Sequence, residues 1–132
     1  MPKVLIIDDD LAVREAFART MRHAGFEVAT VENGVAALTR LATEQFDALI
    51  CDYKMPELGG HGFYEQLEEQ LPHLARRVIF VTAYAEDPRI RNFLTQTGQP
   101  VMDKPVDIDL LVAEVKNLIA RNSRPSSPGQ AL

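Results

Sequence analysis

Four groups able to do chemistry stand at the ends of apolar runs. Asp8 and Asp9, followed by Asp10, close Val4-Leu5-Ile6-Ile7. Asp52 closes Ala48-Leu49-Ile50-Cys51, Thr82 closes Val78-Ile79-Phe80-Val81, and Lys104 follows Pro100-Val101-Met102-Asp103. Three carboxylates brought together repel, since two unit charges about 4 Å apart cost on the order of 4 kcal/mol at an effective dielectric of about 20. Such a cluster stays ionised only with a cation, and a few hard oxygen ligands open to water suit Mg²⁺. A cation there can bridge an incoming phosphoryl group. A hydroxyl and an ammonium on flanking elements can grip the remaining phosphoryl oxygens. A carboxylate in that setting is a candidate nucleophile for an acyl phosphate.

Whether these groups meet depends on the elements that carry them. Short apolar runs between turn signals read as strands buried on both faces. Lys3–Ile7, Phe26–Val31 (alternating, suited to an edge), Phe46–Cys51, Val78–Val81 and Pro100–Met102 fit that description. Between them the period becomes helical. Val13, Phe17, Met21 and Ala24 share one face of a helix from Leu11 to about Ala24, with Asp10 as its N-cap and Gly25 as its left-handed end. Asn33-Gly34 opens a second helix through Leu38, Leu41 and Ala42. Gly59-Gly60 leads into a third, around Phe63, Leu67 and Leu71, stopped by Pro72. Asp87-Pro88 caps and starts a fourth that buries Ile90, Phe93 and Leu94 and closes at Gly98. Asp107 caps a last helix with Ile108, Leu111, Val112, Val115, Leu118 and Ile119 on its apolar face.

Five strands alternating with five helices predict an α/β fold, a doubly wound parallel sheet with helices on both faces. The flavodoxin-like order 2-1-3-4-5 fits, with the ligand crevice at the carboxyl ends of the strands. In that order the first and third strands are neighbours, which brings Asp8 and Asp9 beside Asp52.

The 132 residues suit one domain, assigned to residues 1–121. Residues 122–132 turn rich in Pro, Ser and Gly and are expected to be a disordered tail or linker, too short to hold a DNA-binding output. A net charge of −5 and a pI of about 5.1 exclude the basic face that nucleic acid requires. No apolar run approaches the roughly 20 residues that span a bilayer, and acids directly after the first apolar run are unlike a signal peptide. Cys51 has no second cysteine to pair with and lies in an apolar run, as a structural thiol in a reducing cytoplasm would. His23, His61 and His73 lack metal-ligand spacing and are expected at the surface. Arg14, Ala18 and Arg22 form a stripe beside the first helix's apolar face, solvated or open to a partner.

From residue 3 to about 121 the chain resembles the receiver domains of two-component response regulators. The resemblance rests on Ile6-Ile7-Asp8-Asp9-Asp10, on Asp52-Tyr53-Lys54-Met55-Pro56 with Gly59, on Val81-Thr82-Ala83 and on Lys104-Pro105. It implies that Asp52 is the phosphoacceptor and that a histidine kinase or histidine phosphotransfer protein is the donor. It also implies a Mg²⁺ site made by Asp9 directly, Asp8 through water, Asp52, and the backbone carbonyl of Lys54. Thr82 corresponds to the hydroxyl that turns toward the phosphoryl group, Ala83 to a small residue that keeps access open, and Lys104 to the phosphate-contacting lysine. The Lys104-Pro105 peptide is similar to one that is cis in the family. One position departs: three residues before the lysine, where the family often carries Tyr or Phe as half of its switch, stands Val101. In that respect the chain resembles receivers fused to hybrid histidine kinases.

Such a module is expected to promote only its own phosphoryl uptake and loss, not to act as an enzyme. Two other readings compete with it. A pseudo-receiver would bind a partner with its pocket unused, and Val101 is its main support. A phosphatase built on Asp8-x-Asp10 would need further acidic and lysine motifs and would leave Asp52 without a role.

Overall fold

The structure is a computed structural model that describes residues 1–123. Its elements are β1 (Lys3–Ile7), α1 (Leu11–His23), β2 (Glu27–Val31), α2 (Gly34–Leu41), β3 (Ala48–Asp52), α3 (Gly60–Gln70), a 3-10 turn at Leu74–Arg76, β4 (Val78–Thr82), α4 (Pro88–Thr97), β5 (Val101–Asp103) and α5 (Ile108–Ser123). The five strands form one parallel sheet in the order β2-β1-β3-β4-β5. This is the flavodoxin-like order 2-1-3-4-5.

Alternation along the strands divides the core into two layers. Leu5, Ile7, Leu49, Cys51, Val78 and Phe80 point to one face, where α2, α3 and α4 cover them with Ala37, Leu41, Phe63, Tyr64, Leu67, Ile90 and Leu94. Val4, Ile6, Ala48, Ile50, Ile79 and Val81 point to the other, covered by Phe17, Ala18 and Met21 of α1 and by Leu111, Val115 and Leu118 of α5. Strands packed on both sides need continuous apolar runs, and β3 and β4 are buried at every residue.

Four of the helices start where acids or an amide side chain cap them, while α3 follows Gly59 without a side-chain cap. Asp10 accepts from the amides of Ala12 and Val13, Asn33 from Ala36, Asp87 from Arg89, and Asp107 from Asp109 and Leu110. Each bond satisfies an amide that the helix itself leaves unpaired. Gly25 (φ 99°) and Gly98 (φ 71°) end α1 and α4 in the left-handed region, where a side chain is strained.

Strand ends shift by one or two residues from expectation: β2 starts at Glu27, β3 covers Ala48–Asp52, β4 ends at Thr82 and β5 covers Val101–Asp103. The last helix continues past Arg121 to Ser123. There the Asn122 side chain donates to the carbonyls of Leu118 and Arg76, and Arg77 donates to the Asn122 carbonyl. These tertiary bonds outweigh a local composition that favours ending the helix. The rest of the expected tail, residues 124–132, lies outside the described residues. Ile108 is exposed, although it lies on the apolar face of α5, because it begins the helix beyond the edge of the layer. Among the described residues no helix is long and apolar enough to cross a membrane.

Candidate functional site: an acidic pocket at the carboxyl edge of the sheet

The strand order places the ends of β1, β3, β4 and β5 side by side. Ile7 is in register with Cys51, Asp52 with Val81, and Thr82 with Asp103. Asp8 follows β1, Asp52 ends β3, Thr82 ends β4 and Lys104 follows β5, so the four groups share one edge. Backbone bonds fix the corners: the Asp8 amide donates to Val31, that of Tyr53 to Val81, and that of Lys104 to Thr82.

Asp8, Asp9 and Asp52 each present a carboxylate oxygen, and these oxygens lie within 4.8 Å of one another. Asp8 and Asp52 are buried, at 1% and 7% exposure, while Asp9 is open to solvent. Lys104 reaches across from the β5 side, its Nζ 3.1 Å from Asp8 Oδ2 and 3.4 Å from Asp52 Oδ1. Asp8 Oδ1 accepts the Asp10 amide at 2.9 Å, and the Asp8 carbonyl accepts from the Arg14 guanidinium at 2.8 Å. Both oxygens of that carboxylate and its own carbonyl are thus already engaged.

Three negative groups face one ammonium, and the electrostatics record the imbalance. Burial first, then the neighbouring Asp8 charge, pushes the Asp52 carboxyl up to about 6, against the opposing pull of Lys104. Burial pulls Lys104 toward neutrality, but the charges of Asp52 and Asp8 outweigh it and the net shift is upward. The excess of hard, convergent oxygen donors fits a hard divalent cation, and the acidic group could hold a metal ion.

The remaining predicted residues surround this centre. Thr82 is fully buried, and its Oγ1 accepts the Tyr84 amide at 2.9 Å. Lys54 is exposed, its Nζ 4.2 Å from the centre of the Tyr84 ring. The Lys104–Pro105 peptide is cis. Val101 lies on the edge strand, exposed at 38% and away from the acids. A cleft of about 220 Å³ beside it is lined by Ala85, Leu94, Thr95 and Asp103. Cys51 is wholly buried, and burial pushes its thiol well up, consistent with a structural role.

Two contacts were not anticipated from sequence. Arg14 belongs to a stripe expected to be solvated or to meet a partner, yet its guanidinium supports the Asp8 carbonyl. The available signal was a long cation early in α1, next to an acid-bearing corner. His61 is exposed as expected, but its ring stacks on Phe93 of α4 at 3.8 Å and its Nε2 lies 3.2 Å from Glu65. That pairing depends on α3 and α4 being neighbours, which no local pattern announces.

Comparison with known proteins agrees with this geometry. The family model described as the response regulator receiver domain matches residues 4–116. The response regulator protein FleR of Pseudomonas aeruginosa is 34% identical over 127 residues, which cover 96% of this chain and 26% of FleR. The chain spans between about a quarter and about half the length of such relatives. The signal receiver domain of a signal transduction histidine kinase from Syntrophus aciditrophicus superposes with a TM-score of 0.85, at 28% identity and 94% coverage of both chains. The receiver domain of the Francisella response regulator 1452 gives a TM-score of 0.84 at 27% identity, covering 93% of this chain and 100% of that one. With the strand order, the acidic pocket and the family match in agreement, the chain belongs to the response regulator receiver domain family.

Proposed function

We propose that this receiver takes a phosphoryl group onto Asp52 from a phosphohistidine of a histidine kinase or histidine phosphotransfer protein. An Asp52 carboxylate oxygen attacks phosphorus as the P–N bond breaks. The bond's electron pair leaves with the imidazole nitrogen, which takes a proton. The observation that carries this reading is the meeting of buried Asp52 with Asp8, Asp9 and Lys104 at one sheet edge. Lys104 already spans two carboxylates and is long enough to grip a phosphoryl oxygen in their place. The Thr82 hydroxyl is the second group for those oxygens.

Asp9, Asp8 through water, Asp52 and the Lys54 backbone carbonyl would hold Mg²⁺. When bound, the ion offsets the repulsion between carboxylate and phosphoryl group. Asp8, Asp9 and Lys104 order the pocket around Asp52, and its burial keeps bulk water at a distance from the carboxylate. The module is not an enzyme with a separate product: it promotes its own phosphoryl uptake and loss. Its output is a change in protein contacts, not nucleic-acid binding, which the acidic charge disfavours. A reducing cytoplasm suits its single buried thiol.

Intact mass after incubation with Mg²⁺ and acetyl phosphate tests the reading. One added phosphoryl group, absent in Asp52→Asn and in chelator, is the expected result. A second reading, a pseudo-receiver that binds a partner without phosphorylation, draws on the exposed Val101 in place of an aromatic. No mass gain with either acetyl phosphate or a phosphohistidine donor, despite Mg²⁺ binding, would establish it instead.

A further inference from the structure

Tyr84 touches both sides of the pocket. Its backbone N–H donates to Thr82 Oγ1 at 2.9 Å, and the Lys54 ammonium lies 4.2 Å from its ring centre. Lys54 stands two residues after Asp52, and Tyr84 two after Thr82, so this contact ties together the loops that leave β3 and β4. The Tyr84 ring is no core anchor, since the residue is 46% exposed. On β5, Val101 offers no ring that could follow the state of the site.

We propose that Tyr84 is a positioning residue whose amide holds the Thr82 hydroxyl and whose ring holds Lys54 in the resting domain, both contacts being released when the phosphoryl group is taken up. The proposal rests on the reading of Asp52 as phosphoacceptor. Thr82 has a single Oγ1, and its staggered side-chain positions lie ~120° apart. A turn toward Asp52 carries that oxygen away from the Tyr84 amide, since an N–H···O bond spans only about 2.7–3.2 Å and weakens steeply once its angle falls below about 120°. With its backbone unlatched, the Tyr84 ring is no longer fixed over the ammonium. An exposed cation–π contact shifts an equilibrium roughly two- to five-fold. The clasp therefore biases the resting conformation without locking it. Tyr84, on the β4–α4 loop, becomes the aromatic residue that follows the state of the site.

Beryllofluoride, a phosphoryl mimic for carboxylates, titrated into the whole chain with Mg²⁺ gives an equilibrium readout. Tyr84→Leu, which removes the ring, is expected to bind roughly two- to five-fold tighter than wild type, and Tyr84→Phe to match wild type. In protein carrying ¹³C-lysine, the Lys54 ε-methylene protons are expected to resonate upfield under the ring and to return to the ordinary lysine position on loading. Lys54→Gln identifies the signal by its disappearance. Tyr84→Leu binding no tighter than wild type, or an upfield shift that survives loading, overturns the clasp. Intact mass with acetyl phosphate separates the two levels. Wild type that gains no phosphoryl group from acetyl phosphate or from a phosphohistidine donor, although Mg²⁺ binds, overturns the Asp52 reading and this proposal with it. Wild type that loads while Lys54 stays under the ring overturns the clasp alone.

Discussion

β4 and β5 are hydrogen-bonded neighbours with Phe80 opposite Val101 and Thr82 opposite Asp103, yet they live in different environments. Every residue of β4 is buried, whereas β5 is exposed, half-buried and exposed in turn. Both strands carry valine: Val78 and Val81 are sealed off from water, and Val101 is open to it. Residue type therefore does not set burial here; place in the sheet does. β4 has a strand on each side and a helix layer on each face, while β5 has one strand neighbour and a thin cover. Of α4, only Ile90 and Leu94 are buried, with Phe93 half-buried among Tyr53, His61, Tyr64 and Phe80. The chemistry is held on the stiff strands, and the adjoining flank is left with little to resist movement.

Four measurements would break or sharpen that contrast. Phe80→Ala empties a fully buried site between two aromatic neighbours and is expected to cost about 3–5 kcal/mol in urea unfolding. A cost comparable to that of an edge mutation would mean that β4 is not the stiff element.

Asp52→Asn is expected to stabilise the chelated protein. The Asp52 carboxyl is raised to about 6 in the folded protein, so its favourable contribution is complete below the unfolded value and is lost as pH rises through the folded one. Wild type is expected to fall behind the variant by about 2–3 kcal/mol at pH 7 and to draw level below about pH 4. Melting curves across that range check the sign, and Mg²⁺ should narrow the gap at neutral pH.

Asp87→Ala removes the side chain that caps α4 and is expected to cost about 1 kcal/mol. Hydrogen exchange should quicken in α4 and leave the amides of β4 unchanged. Quickening of both would show that the two regions unfold as one unit. The smallest effect is expected from Val101→Phe, which fills the neighbouring cleft at a partly exposed position. Its melting point should shift by an amount equivalent to less than about 0.5 kcal/mol. A larger change would place β5 with the stiff strands.

The same contrast explains how much the residues disclosed in advance. The strands of the interior were legible because double-sided burial demands unbroken apolar runs such as Val4–Ile7 and Val78–Val81. The caps were legible because Asp10, Asn33, Asp87 and Asp107 must precede their helices to meet unpaired amides. The acidic pocket followed from strand order, since Asp8 and Asp52 can meet only if β1 and β3 are neighbours. Contacts made between elements stayed hidden. The stacking of His61 on Phe93 and the extension of α5 through Asn122 are each decided by a partner distant in sequence. The Lys54–Tyr84 pair was legible in part, since each stands two residues beyond a pocket group, Asp52 or Thr82; the contact of ammonium and ring was not.

Cys51 gives the chain a built-in gauge of how often its centre opens. The thiol sits on the middle strand, wholly sealed, beside Asp52, and its S–H donates to the Asp52 carbonyl. Alkylating reagents attack thiolates that they can reach, so labelling must wait for the helix layer over β3 to part from the sheet. With a single cysteine in the sequence, the appearance of one adduct over time counts those partings without any introduced probe. Followed with and without a phosphodonor, the same clock would tell whether loading the aspartate tightens or loosens the strand that carries it.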